Sequence, residues 1–275
     1  MAVKKSAPPR RTFLPIRSHL EEARVADRAR QLALVERRTR AATDVTRVRR
    51  RGGTAAARTV ATRPTTGFDP RDGGVRLTGA IQLQPPNDRR CTAYATVTAV
   101  EAYVCRRAQS LTARPALSVS HLFSLSGNQE TLGATADAVK DGVLEAACFP
   151  PTPSCDDPAA HTWRAAMSRL IALDDRVAEM CAALRAGQLL VVSVPVFRNF
   201  AAFTGTEVYR ARGARVGAHA LCIIGYEADA TGGRWIVQNS FGPDWGDGGY
   251  ARIAWNDGDV EPERVVYRVE EVAHP

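Results

Sequence analysis

Cys91-Thr92-Ala93-Tyr94-Ala95-Thr96-Val97 opens an apolar run that reads as a helix continuing to about Arg107. A cysteine there sits at a helix N-terminus, where unpaired backbone N–H groups and aligned peptide dipoles favour an anion. The thiolate, not the thiol, is the nucleophile, so this position suits a reactive cysteine. Pairing with an imidazolium lowers a free thiol pKa of ~8.5 to roughly 3–4. At ~1.36 kcal/mol per unit, that is about 6 kcal/mol in favour of the ion pair. The thiolate needs a histidine, and the histidine needs a group to orient it.

Two later stretches supply both. His219 lies in Val216-Gly217-Ala218-His219-Ala220-Leu221-Cys222-Ile223-Ile224-Gly225-Tyr226, a β-rich run. After the turn-like Ala228-Asp229-Ala230-Thr231-Gly232-Gly233, the run Arg234-Trp235-Ile236-Val237-Gln238-Asn239-Ser240 reads as a second strand. Two strands joined by a short Gly-containing loop predict a hairpin that brings Asn239 close to His219. An asparagine carbonyl accepting from one ring nitrogen fixes the tautomer and leaves the other nitrogen facing the thiol.

Cys91-Thr92-Ala93-Tyr94 is a Cys-x-Ala-aromatic helix start. Asn239-Ser240-Phe241-Gly242-Pro243-Asp244-Trp245-Gly246-Asp247-Gly248-Gly249-Tyr250 is an Asn-Ser-aromatic-Gly-x-x-Trp-Gly-x-x-Gly-Tyr run. With the order Cys, His, Asn, these resemble the papain-like (C1) cysteine peptidases, especially their bacterial members. The run around Asn239 is the specific signal. His219 and Asn239 follow Cys91 by 128 and 148 residues, near the roughly 130–150 of that family. The likeness covers approximately residues 66–270.

The resemblance implies an α+β, papain-like two-lobe fold. A helical lobe over about 90–185, with Cys91 on its central helix, faces an antiparallel β-barrel-like lobe over about 186–270. Cys91 and His219 stand on opposite walls of the cleft between them. It implies hydrolysis of a peptide or protein substrate: Cys91 attacks the carbonyl, His219 protonates the leaving amine and then activates water, and Asn239 orients His219. Phe241, where the family has Trp, and Trp245 shield the His–Asn hydrogen bond. No metal and no organic cofactor is implied.

One departure bears on the chemistry. The family places a glutamine six residues before the nucleophile, as oxyanion donor; position 85 here is Pro. Gln84 is one residue off, Gln82 three off, and Asn87 lies nearer Cys91. We expect Gln84, carried in by a shifted loop, with the Cys91 backbone N–H as second donor. Arg89-Arg90 replace small residues before the cysteine and either act on the thiol or substrate or are simply solvated. Pro85 keeps open an inactive papain-like binding module, and the same triad also serves cysteine acyltransferases and transglutaminase-like enzymes.

Charge separates the chain into two parts. Residues 1–63 hold two lysines and fifteen arginines against five acidic residues, a net +12, whereas the whole chain is +8 and the remainder therefore −4. Residues 1–65 read as a basic helical extension and linker, with Ser18 and Glu21 forming a capping box. By resemblance the extension is a propeptide occupying the cleft; read from its residues, it is a basic helix that is solvated or docks on a partner. With Phe13 as its lone aromatic it makes a poor nucleic-acid binder. Arg10-Arg11-Thr12-Phe13-Leu14 has the look of a twin-arginine signal but lacks the apolar core of roughly 7–15 residues that follows one. With no apolar run near ~18 residues, no membrane span is expected and the cytoplasm is the default location.

The remaining elements follow local cues. Ser118 caps a helix in which His121 is structural. Helices are expected over Gly133–Val143, ending at Gly142, over Trp163–Leu173, leading there into a strand, and over Asp175–Arg185. A buried strand is expected over Gln188–Val196, and a cleft-lining loop over Phe197–Gly205. The six cysteines form no metal pattern. Cys105, Cys181 and Cys222 sit in apolar runs as buried thiols. Cys148 and Cys155 are near enough to pair across a short loop, although a reducing cytoplasm leaves them free.

Overall fold

The computed structural model describes residues 62–72, 77–150, 155–171 and 175–274. All but the last four residues of the basic extension (1–65) lie outside the described residues.

Helix α1 (Cys91–Ala108) is the helix predicted from Cys91. Fourteen of its eighteen residues are buried, which marks a helix enclosed by the fold instead of one lying on its surface. Its small side chains let backbone approach closely: a Cβ on Gly79 would meet the Thr98 carbonyl oxygen at 2.5 Å. The helix stops at Gln109, which takes a left-handed conformation (φ 50°) and returns its N–H to Arg106 and Cys105. Arg106 and Arg107 in the last turn complement the dipole.

Short helices pack around it. Ser118 caps α2 (Val119–Leu125) as predicted, its Oγ accepting from His121 N at 3.1 Å. Thr131 caps α3 (Leu132–Ala138), which ends before the expected Gly142. The chain turns there and enters strand β1 (Val143–Leu144). Helix α4 (Arg176–Arg185) falls where the sequence places one, and Asp175 caps it.

The stretch expected to be a helix from Trp163 is strand β2 (Thr162–Arg169). Arg164-Ala165-Ala166-Met167 has good helix propensity, but pairing decides. β2 runs antiparallel to β7 (Val266–Ala273), Ala165 opposite Val272 and Met167 opposite Val269. Ala165 and Met167 face the core and Ala166 the solvent, the period of a half-buried strand.

The other strands are β3 (Leu190–Phe197), β4 (Arg215–Asp229), β5 (Gly232–Gln238) and β6 (Tyr250–Ala254). The sheet order is β1-β2-β7-β3-β4-β5-β6, every pairing antiparallel. Among the described residues the sheet is open, with β1 and β6 as edges, and is not the barrel-like closure expected.

Alternation along the central strands builds two cores. Leu189, Val191, Ala220, Cys222 and Ile224 pack on the side of α1. Leu190, Val192, Val194, Val196, Leu221 and Ile223 pack on the other side with α4, Tyr209 and Trp235. The two lobes therefore share a sheet. β2 joins that sheet, and α4 belongs to the second core, although both lie in the stretch expected to be the helical lobe.

Candidate active site

Cys91 is the first residue of α1, buried, with its thiol against the backbone N–H groups of Ala220 and Thr92. Ala220 immediately follows His219, so α1 delivers the sulfur to the strand that carries the histidine. Burial pushes the thiol up to about 11, and the carboxylates of Glu130 and Asp88 push the same way; the Ala220 and Thr92 N–H groups oppose them.

His219, on β4, and Asn239, just beyond β5, meet as the hairpin predicts. His219 Nε2 lies 2.7 Å from Asn239 Oδ1. The same oxygen accepts from the Ser240 backbone N–H at 2.8 Å. A backbone N–H can only donate, so Oδ1 is an acceptor and Nε2 must carry the proton. Nδ1 is then the nitrogen with a lone pair to take a proton from a thiol. Asn239 is itself pinned, its N–H donating to Gly249 O at 2.9 Å.

Aromatic rings enclose this pair. Phe241 lies on the imidazole, ring centroids 4.6 Å apart, and Phe200 meets it at 5.7 Å. Trp245 stands one step back, against Phe200 (5.1 Å) and Phe241 (6.3 Å), with its Nε1 donating to Phe200 O at 2.7 Å. Of the two residues expected to shield the pair, Phe241 lies directly on the imidazole and Trp245 packs behind it on the two phenylalanines. Its loop closes on Gly246 (φ 60°), where a Cβ would stand 2.0 Å from Tyr250 O.

Gln84, the expected oxyanion donor, lies against the same loop. Gln84 N donates to Ser240 O (2.6 Å) and Gly242 N to Gln82 O (2.9 Å), so residues 82–84 lie alongside 240–242. The Ser240 hydroxyl donates to Gln84 Oε1 at 2.7 Å, which orients the amide. Its NH₂ end then points to the start of α1, where Nε2 donates to Asp88 O at 2.5 Å. The extra residue between Gln84 and Cys91 is taken up in a turn: Asp88 N donates to Pro85 O at 3.1 Å, with Asn87 at φ 66°. Pro at the second place and Asn at the third are the residues such a left-handed turn position selects.

Arg90 does not point its charge at the thiol. It grips Asp88 through two nitrogens, Nε to Oδ1 at 2.9 Å and Nη2 to Oδ2 at 2.6 Å, and donates from Nη1 to Ser120 at 2.7 Å. Arg89 pairs with Glu130. His121 is structural, as read: its Nδ1 accepts from Leu144 N at 2.9 Å. Sequence reasoning missed Phe200 as a wall of the imidazole site and Ser240 as the link between Asn239 and Gln84. Ser240 lay within the specific run; Phe200 had only its place in the expected cleft-lining loop.

Cys148 and Cys155 form a disulfide, against the reduced state taken as default. Cys105, Cys181 and Cys222 are free and buried, as read. Among the described residues no helix is long and apolar enough to cross a membrane.

Comparison with known proteins shows the family and the fold. Residues 66–267 match the family model described as Papain family cysteine protease. Cathepsin B-like CP3 of Giardia intestinalis is 38% identical over 72 residues, covering 26% of this chain and 24% of its own length. Fruit bromelain of Ananas comosus is 57% identical over 37 residues, covering 13% of this chain and 10% of its own. The chain thus matches about a quarter or less of each of these relatives' length.

Among solved structures, the procathepsin B S9 of Trypanosoma congolense superposes with a TM-score of 0.61 at 18% identity, over 80% of this chain and 84% of its own. The bromelain protease of Ananas comosus in complex with the E64 inhibitor gives 0.58 at 20% identity, over 75% and 99%. At such identities the superpositions speak to the fold. The relatives named here are eukaryotic and lend no support to the bacterial character expected from the sequence. With most of its length matched by the family model, the chain belongs to the papain family of cysteine proteases.

Proposed function

We propose that this chain hydrolyses peptide bonds with Cys91 as nucleophile, His219 as acid and base, and Asn239 as the group that orients His219. The observation that carries this reading is the shared Asn239 Oδ1, which accepts from both His219 Nε2 and Ser240 N and so leaves Nδ1 as the proton acceptor. A lone thiol raised to about 11 is protonated at neutral pH. The thiolate therefore exists there as one half of an ion pair with protonated His219, held at the head of α1.

Attack of the thiolate on the peptide carbonyl forms a C–S bond and moves charge onto the carbonyl oxygen. Gln84 Nε2 and the Cys91 backbone N–H stabilise that oxyanion. Collapse expels the amine, which takes the proton from His219. Water then attacks the thioester, gives its proton to His219, and releases the acid and the thiolate. Phe200 and Phe241 keep water from the His–Asn hydrogen bond, which strengthens it.

The test is intact-mass labelling with a peptidyl epoxide at pH 6. A single adduct on wild type, absent from Cys91→Ala and slowed in His219→Ala, is the expected result. Equal and sluggish reaction of all thiols would overturn the reading.

A further inference from the structure

Away from the cleft, the described residues bring one set of soft donors together. The sulfurs of Cys148 and Cys155 and a ring nitrogen of His161 all lie within 4.8 Å of one another. Cys148 is buried, ending a short turn over Ala146–Cys148, while Cys155 and His161 are partly open to solvent. Their Cα atoms, 5.3 Å apart, carry a disulfide. A disulfide by itself needs no imidazole beside it, and this one has His161, which is itself held by a carboxylate.

His161 closes the turn Pro158–His161, which Asp157 caps. Its Nδ1 lies 3.0 Å from Glu145 Oε2, and the other carboxylate oxygen accepts from Trp163 Nε1 at 3.0 Å. Glu145 is thus held by a tryptophan and in turn holds the imidazole. With Nδ1 on the carboxylate, Nε2 is the ring nitrogen left to meet a metal. A carboxylate on the far nitrogen is the device that fixes the tautomer and raises the basicity of metal-ligating histidines.

We propose that, when the disulfide is reduced, Cys148, Cys155 and His161 bind a divalent cation of the zinc class, with solvent as fourth ligand and Glu145 orienting the imidazole. A dithiol reductant supplies two electrons and two protons; the S–S bond breaks, two thiols form, and the reductant leaves as its own disulfide. The cation then displaces both thiol protons to the solvent and forms two bonds to sulfur and one to nitrogen. A tetrahedral site with Zn–S near ~2.3 Å and Zn–N near ~2.0–2.1 Å sets its donors about 3.5–3.8 Å apart. The two sulfurs, 2.10 Å apart while bonded, separate to that spacing once the S–S bond is broken, and the ring nitrogen already lies within 4.8 Å of both. Two thiolates and an imidazole favour zinc over magnesium or calcium.

The cluster also adjoins the catalytic helix. Phe149, next to Cys148, packs on His121 at 4.7 Å, and Ser120 beside it accepts from Arg90, which precedes Cys91. Disulfide and metal are thus alternative links between Cys148 and Cys155.

The test uses the full chain carrying Cys91→Ala, so that the reactive thiol does not bind the probe. The reduced protein is titrated with Co²⁺ without oxygen. We expect a thiolate-to-cobalt charge-transfer band that saturates at one equivalent, is displaced by Zn²⁺, and is absent from the oxidised form of the same sample. Cys155→Ser should abolish the band, and Glu145→Gln should weaken binding about 10–100-fold. No band in the reduced protein would overturn the proposal and leave a plain disulfide. A band equal in the oxidised protein, or unchanged by His161→Ala, would overturn it in favour of adventitious thiol binding.

Discussion

Ser240 joins the two halves of the catalytic site through three different atoms. Its N–H holds Asn239 Oδ1, its hydroxyl holds Gln84 Oε1, and its carbonyl accepts from Gln84 N. On the proposed mechanism Gln84→Ala removes one oxyanion donor and should lower kcat by about 10²–10³-fold with KM little changed. Ser240→Ala keeps the donor but frees its amide, so we expect a smaller loss of kcat. On a Gln84→Ala background the same change should add almost nothing, and steady-state kinetics of the four proteins would show this. Equal, additive losses would mean that Ser240 acts independently of Gln84. The thiol gives a second prediction at this scale. Because burial drives Cys91 up to about 11, the proposed mechanism requires the ion pair with His219 to sustain a thiolate at neutral pH. Alkylation of wild-type Cys91 should vary little between about pH 6 and 8, while in His219→Ala it should rise about tenfold per pH unit. A flat profile in His219→Ala would assign thiolate stabilisation to the helix terminus alone.

At the scale of elements, α1 carries more than Cys91. Glu101, in its middle, is buried and accepts from Ala80 N at 3.0 Å and Leu117 N at 3.2 Å. It therefore ties the segment that leads into Gln84 to the strand-like stretch ahead of α2. Burial pushes its carboxyl up to about 7, against the opposing pull of those two N–H groups. An acid whose folded pKa exceeds its unfolded value near ~4.3 binds its proton more tightly when folded. Its contribution is fully present below that unfolded value and is lost as pH rises to about 7. Urea denaturation should therefore show a decline in stability between about pH 5 and 7 that flattens in Glu101→Gln. The substitution should also lower stability overall, because the amide NH₂ would face a backbone N–H. A wild-type stability that rises across that interval, with an unchanged slope in the variant, would show that Glu101 stays ionised in the fold.

Across the whole molecule, what was legible in the sequence was chemistry fixed by neighbours in the chain. The Cys91 helix start, the His219–Asn239 hairpin and the run through Tyr250 are local patterns, and each keeps its meaning wherever the rest of the chain goes. What escaped depends on partners far away. Arg164-Ala165-Ala166-Met167 has residues that favour helix and is a strand because β7 lies beside it. Gln84 was legible as a residue, but its place needed the turn at Asn87 and the hydroxyl of Ser240. Phe200 reaches His219 only once β3 and β4 have paired. The same long-range pairing gives the last prediction. β3 and β4 contribute alternate residues to both cores, so neither core can lose its wall without exposing the other. Leu122 is fully buried in the core around α1, and Leu221 is fully buried in the second core. Leu122→Ala and Leu221→Ala should each cost about 2–5 kcal/mol and shift one common unfolding transition. Fluorescence, dominated by tryptophans of the second core, and far-ultraviolet circular dichroism should then give coincident curves for both variants. Were Leu221→Ala to split the transition, with the helical signal surviving loss of tryptophan packing, the cores would be independent and the shared sheet would not couple the walls of the catalytic cleft.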